Sequence, residues 1–218
     1  MKTDVAVLDM DGTILSKRSI DVLCDRFGLT SKLKQLDLEF REAPRFVVTM
    51  GIAGLLSGKS RSDLENAFDS IPLNAGVHEF VSFLRDRGFM VALATDSYKF
   101  LADRLKDRLQ LDLVYANRLQ FNGDRLTGKV LTVPGCLKIP HCKEYLVCKL
   151  RLLKSLQGAL GGVSVAIGDS DSDYCMLQGA DISVAYNPKS ERIKVKADAI
   201  VQNFYQATAF LKQRLGRG

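Results

Sequence analysis

The chain has 218 residues, 46% of them hydrophobic and 26% charged, which suits one substantial core plus a small accessory unit and excludes a disordered chain. No run approaches the ~18 uninterrupted apolar residues of a membrane span, and the acids inside MKTDVAVLDMDGT speak against a secretory signal. The expected location is therefore cytoplasmic, with no membrane partner. The formal charge of +6 is spread from Lys2 to Arg217, without the basic tracts or interleaved aromatics of a nucleic-acid binder.

In chain order, residues 4–8 (DVAVL) are apolar and β-branched and lead into a Gly-containing turn, which predicts a buried parallel strand. From about residue 16 to 75 only helical periods appear, separated by Gly28, Pro44 and Gly58. That block reads as a helical insertion, or cap, of 16–75. Val77, Phe80, Val81 and Leu84 form an apolar helical stripe closed by Gly88. Residues 89–95 (FMVALAT) predict the next strand, and Leu101, Leu105 and Leu109 the next helix. Between 117 and 130, Asn122-Gly123 separates two short alternating runs, the mark of a hairpin, read as a small flap. Leu146, Leu150, Leu153 and Leu156 suggest a further helix, and 163–168, 182–185 and 199–201 further strands. Strands alternating with helices imply an α/β fold, a parallel sheet covered on both faces. The core is assigned to 1–15 and 76–218.

The five cysteines are scattered and odd in number. Cys136, His141, Cys142 and Cys148 crowd one region but contain no CxxC pair, so they read as reduced thiols and a turn histidine rather than a zinc site. Lys189, Arg192, Lys194, Lys196, Lys212, Arg214 and Arg217 read as solvated surface.

Two acidic motifs carry the chemistry. Asp9-Met10-Asp11-Gly12-Thr13 directly follows the first strand, and Gly168-Asp169-Ser170-Asp171-Ser172-Asp173 follows the strand VSVAI. Acids abutting apolar strands are costly to bury unless paired or bound to a cation. Two such clusters at strand ends suit one hard cation with oxygen ligands, and Mg²⁺ fits a site shared with phosphate.

On DMDGT and GDSDSD the chain resembles the haloacid dehalogenase superfamily of phosphohydrolases, and within it the phosphoserine phosphatase group. Residues 71–73 (IPL), 116–119 (ANRL), 125–128 (RLTG) and 182–188 (ISVAYNP) extend the likeness over nearly the whole chain. The resemblance implies a three-layer Rossmann-like core with a small helical cap. It implies that Asp9 is a nucleophile forming an aspartyl-phosphate and that Asp11 is the general acid and base. Mg²⁺ would be held by Asp9, Asp169 and the Asp11 carbonyl, with Asp173 supporting that shell. Thr95 would end the second strand and donate to phosphate. Lys149 would balance charge, on the spacing K-x-x-x-L-x-x-L to Leu153 and Leu156, with Lys143 as its rival.

Four departures from the group bear on substrate. Thr95-Asp96-Ser97 stands where the group has Ser-Gly-Gly, placing the Asp96 carboxylate beside the phosphate. Ser172 replaces an Asn. Arg18 replaces a Glu seven residues after the general acid, and the group's cap Arg falls near Ile52. These reversals imply a small phosphorylated metabolite other than phosphoserine, with Arg18 and Arg45 facing a second anionic group or a polyol oxygen. A phosphotransferase using the same residues is one alternative. A non-catalytic protein binding RNA on the same scaffold is another. The chain is expected to act as a monomer or homodimer.

Overall fold

The computed structural model describes residues 2–132 and 144–216; Cys136, His141, Cys142 and Lys143 lie outside them. The first strand, β1 (Thr3–Leu8), is followed by four helices: α1 (Ser19–Arg26), α2 (Thr30–Glu39), α3 (Arg45–Leu55) and α4 (Arg61–Asp69). Next come α5 (Val77–Asp86), β2 (Met90–Tyr98), α6 (Lys99–Leu109), β3 (Leu113–Asn117), β4 (Leu119–Asn122) and β5 (Arg125–Val130). The rest of the chain forms α7 (Lys149–Leu160), β6 (Gly161–Gly168), α8 (Tyr174–Gly179), β7 (Ile182–Tyr186), α9 (Glu191–Lys194), β8 (Ala199–Val201) and α10 (Phe204–Leu215).

Six strands form one parallel sheet in the order β3-β2-β1-β6-β7-β8. Alternation along β1 explains its central place. Ala6 and Leu8 pack into one core with residues of α5, α6 and α10, while Val5 and Val7 pack into the other with residues of α7 and α8. A strand apolar on both faces is stable only between two helical layers. On α5, Val77, Phe80, Val81 and Leu84 are all buried, each stabilising by about 1.5–3 kcal/mol. The chain runs outward from β1 to β3 in one direction and from β6 to β8 in the other. The crevice beyond the C-terminal ends of β1 and β6 is thus a switch point, where open α/β sheets receive ligands.

Three details differ from the sequence reading. β2 runs on to Tyr98 rather than ending at Thr95, with a register shift between Ala94 and Tyr98. β3 is an additional, edge strand, short and only partly buried, where alternation gave little signal. α7 starts at Lys149, so Leu146 precedes it, and the helix buries Lys149, Leu152 and Leu153. A polar residue occupies the buried face that an apolar stripe would not disclose.

Two connections carry the chain into and out of α1–α4, and they run side by side. Leu15 bridges Leu73 antiparallel, the Ser16 amide donates to the Pro72 carbonyl at 3.0 Å, and the Asn74 amide donates to that of Ile14 at 2.9 Å. The β4–β5 hairpin is tied to the same helices. The Gly58 amide donates to the Leu126 carbonyl at 2.8 Å, the Leu126 amide to that of Lys59 at 3.0 Å, and the Arg61 amide to that of Asp124 at 2.7 Å. The Arg61 guanidinium lies 4.0 Å from the Phe121 ring centroid.

Candidate active site

The loop after β1 is shaped by its backbone. The Leu15 amide donates to the Met10 carbonyl at 2.9 Å and the Gly12 amide to that of Leu15 at 3.0 Å, so the chain doubles back. Gly12 has φ +85°, and a Cβ there would lie 2.2 Å from Asp169 Oδ2. Gly168, ending β6, is equally confined: a Cβ would lie 2.3 Å from Asp173 Cγ. The two acidic motifs are thus pressed together where neither glycine leaves room for a side chain. One oxygen each of Asp9, Asp169 and Asp173 lies within 4.8 Å of the others, all three residues being buried.

Lys149 is the hub of this cluster. A lysine at the first position of a helix is opposed by the helix dipole, and burial opposes its charge further. Asp173 and Asp9 overcome both and hold it firmly protonated. Lys149 Nζ donates to Asp9 Oδ1 and, at 2.6 Å, to Asp173 Oδ1. The other oxygen of Asp173 accepts from the amides of Asp169 and Ser170, each at 3.1 Å, and from Ser170 Oγ at 3.2 Å. Asp173 is therefore saturated as a brace. Asp9 and Asp169 are not. Among the described residues, Lys149 donates to one oxygen of Asp9, and buried Asp169 Oδ1 has no hydrogen-bond partner. Lys189 Nζ lies 2.5 Å from Asp169 Oδ2, so this residue belongs to the site and corrects its reading as solvated surface. Burial, then Asp173, raises the pKa of both Asp9 and Asp169, with Lys149 opposing at each. Converging carboxylates with unused oxygen are a donor set that fits a hard divalent cation such as Mg²⁺.

Asp11 points the other way, toward the helices. Its Oδ1 accepts from the Ser19 amide at 2.8 Å and its Oδ2 from Ser19 Oγ at 3.0 Å. Burial raises its pKa to about 6 against the lowering effect of those bonds. Ser19 Oγ also lies 3.0 Å from Ser97 Oγ, linking α1 to β2. Thr95 is buried within the irregular part of β2, where its Oγ1 accepts from the Ser97 amide at 3.1 Å. The Asp96 carboxylate accepts from Thr49 Oγ1 at 3.1 Å and from Asn117 Nδ2 at 3.2 Å. Burial raises its pKa to about 6.

A cavity of about 400 Å³ opens over these residues. Asp9, Asp11, Thr95, Asp96 and Lys149 line its sheet side, and Arg18 and Arg45 its helical side. Asp169 and Asp173 lie beneath that lining. Sequence reasoning missed Ser19, Thr49 and Tyr145, which also line or brace the cavity. Ser19 carried a usable signal, a serine opening a helix shortly after an acidic loop. Thr49 and Tyr145 carried none.

The haloacid dehalogenase-like hydrolase model matches residues 6–178, and a second haloacid dehalogenase-like hydrolase model matches residues 150–209. The phosphoserine phosphatase of Idiomarina loihiensis is 31% identical over 190 residues, covering 84% of this chain and 81% of the relative. That of Archaeoglobus fulgidus is 29% identical over 205 residues, covering 89% of this chain but only 55% of the relative. This chain thus spans about half the length of the archaeal relative. A solved structure of a phospho-aspartyl intermediate analogue of phosphoserine phosphatase superposes with a TM-score of 0.80, over 96% of this chain and 99% of that one, at 23% identity. The last similarity is one of fold.

Proposed function

The chain belongs to the haloacid dehalogenase-like hydrolase family and is a phosphatase, and from that premise we propose that it hydrolyses small cytoplasmic phosphomonoesters with Mg²⁺, using Asp9 as nucleophile. The observation that carries this reading is the pairing of Asp9, with one oxygen unengaged by Lys149, and Asp11, whose pKa of about 6 lets it hold or release a proton near neutrality.

Asp9 attacks phosphorus, and the bond from phosphorus to the ester oxygen breaks as an aspartyl-phosphate forms. Asp11 gives its proton to the departing alkoxide, then takes one from the water that attacks the aspartyl-phosphate, so inorganic phosphate leaves and Asp9 is restored. Lys149 keeps positive charge against Asp9 throughout. Thr95, on the same cavity wall, offers its hydroxyl to a phosphate oxygen. Asp9, Asp169 and the Asp11 carbonyl would hold Mg²⁺, which when bound offsets repulsion between the anionic ester and the carboxylates. The helices between residues 16 and 75 act as a cap over the cavity, with the paired segments at Leu15 and Leu73 as its hinge, and closure excludes water from the aspartyl-phosphate.

The test is phosphate release from p-nitrophenyl phosphate and alkyl phosphates, with Mg²⁺ and with chelator. The expected result is release by the wild type with Mg²⁺ and none after chelation. Undiminished release after chelation would contradict the metal assignment. Appearance of the phosphoryl group on an added alcohol in place of inorganic phosphate would favour a phosphotransferase.

A further inference from the structure

The cap side of the cavity bears on which ester is hydrolysed, an inference that rests on the phosphatase reading above. Arg18 NH1 and Arg45 NH2 stand 3.6 Å from the two oxygens of one carboxylate, Asp37. Arg18 also reaches the exposed Asp21 at 3.3 Å. Arginine–carboxylate pairs that are fully formed close to about 2.7–2.9 Å, often through two parallel bonds. Here two guanidiniums share one distant acceptor while both line the cavity.

The carboxylates nearby are already engaged. Asp11 accepts from Ser19, Asp96 from Thr49 and Asn117, and Asp37 faces the arginines. A substrate ammonium entering on this side would meet two positive charges and no uncommitted acid among these three. Tyr145 adds a donor. It lines the cavity, and burial raises its pKa, so its hydroxyl stays protonated. The adjoining wall of Val48 and Ile52 suits a short carbon chain.

We infer that the substrate carries a second anionic group on its alcohol portion, gripped by Arg18 and Arg45 across the cavity from Asp9. The ligand class is a small phosphorylated hydroxy acid or a short bisphosphate. When that group binds, the arginines exchange a distant shared carboxylate for direct charge-assisted bonds.

The experiment compares kcat/KM across five Mg²⁺-supported reactions. 3-Phosphoglycerate supplies a carboxylate and propanediol bisphosphate a second phosphate. Glycerol 3-phosphate is neutral beyond its phosphate, phosphoethanolamine cationic, and p-nitrophenyl phosphate reports the core chemistry alone. One or both of the doubly anionic esters should exceed glycerol 3-phosphate, and whichever leads identifies the group. In Arg18→Gln and Arg45→Gln that preference ratio should fall ~10–100-fold, the worth of a charged hydrogen bond. Taking a ratio cancels any effect of Arg18 on Asp11, and a merely structural role would lower all rates together. A preference for glycerol 3-phosphate or phosphoethanolamine, or a ratio unmoved in both variants, would overturn the inference while hydrolysis of p-nitrophenyl phosphate left the phosphatase reading intact. Calorimetric binding of 3-phosphoglycerate and propanediol bisphosphate to Asp9→Asn gives the same comparison without turnover. Binding of both no tighter than that of glycerol 3-phosphate would also overturn it.

Discussion

On the sheet side of the cavity, Asp9, Asp173 and Lys149 leave 5%, 0% and 3% of their side chains exposed, and Lys149 meets Asp173 at 2.6 Å. On the helical side, Arg18, Arg45 and Asp37 leave 35%, 27% and 34% exposed, and meet at 3.6 Å. The first cluster is buried and closely paired before any ligand arrives; the second is part-exposed and more widely spaced. Groups that take part in bond making must be held in place beforehand, because reorganising them would add to the barrier. Groups that select a substrate can adjust to it, at the cost of ordering on binding.

Asp11 stands between the two clusters, carried by the loop after β1 but held by Ser19 of α1. It offers the largest effect by which to break the comparison. Asp11→Asn keeps the shape and removes the transferable proton, so hydrolysis of alkyl phosphates should fall ~10²–10⁴-fold. p-Nitrophenyl phosphate, whose leaving group needs little protonation, should be affected much less. Equal losses on both esters, measured by steady-state kinetics, would mean that Asp11 acts through structure and not by proton transfer.

The next effect is on stability. Lys149→Met leaves Asp9 and Asp173 buried without their shared cation, and breaking such a pair costs about 3–5 kcal/mol. Urea unfolding at neutral pH without metal should show that loss, whereas Arg45→Gln, its counterpart on the part-exposed wall, should change stability by no more than ~1 kcal/mol. Similar losses from the two variants would erase the distinction between the walls.

The smallest effect concerns Asp96, which joins the walls through Thr49. Its pKa rises from the ordinary 3.8 to about 6 in the folded chain, chiefly through burial. The folded state therefore holds this proton more tightly than the unfolded one. The resulting contribution to stability is full below about 3.8 and is lost as pH rises through about 6. Relative to Asp96→Asn, the wild type should lose stability between pH 4 and 6 and run parallel to it above that range. Parallel curves throughout would show that Asp96 ionises normally.

How much of this the chain disclosed follows the same division. Asp9, Asp11, Asp169 and Asp173 stand out because acids abutting runs such as VAVL and VSVAI are expensive unless they have a task. The strands themselves are legible because both faces are buried, leaving continuous apolar runs. The edge strand β3 is not, being short and half covered. Lys189 resembles any surface lysine until the fold brings Asp169, 20 positions earlier in the chain, within 2.5 Å of it. Thr49 and Tyr145 likewise gain meaning only from tertiary neighbours, since helix and loop positions of ordinary composition carry no local mark of them. The hairpin is visible as alternation around Asn122-Gly123, but its ladder with Gly58–Arg61 joins segments more than 60 positions apart.

The central claim, that Asp9 carries the phosphoryl group, is tested most directly by acid-quenching the enzyme during turnover of a ³²P-labelled ester with Mg²⁺ and mapping the label. The account predicts acid-stable label on the peptide containing Asp9, formed and discharged at rates consistent with turnover and absent from Asp9→Asn. Turnover without label at Asp9, or label that persists in Asp9→Asn, would contradict it.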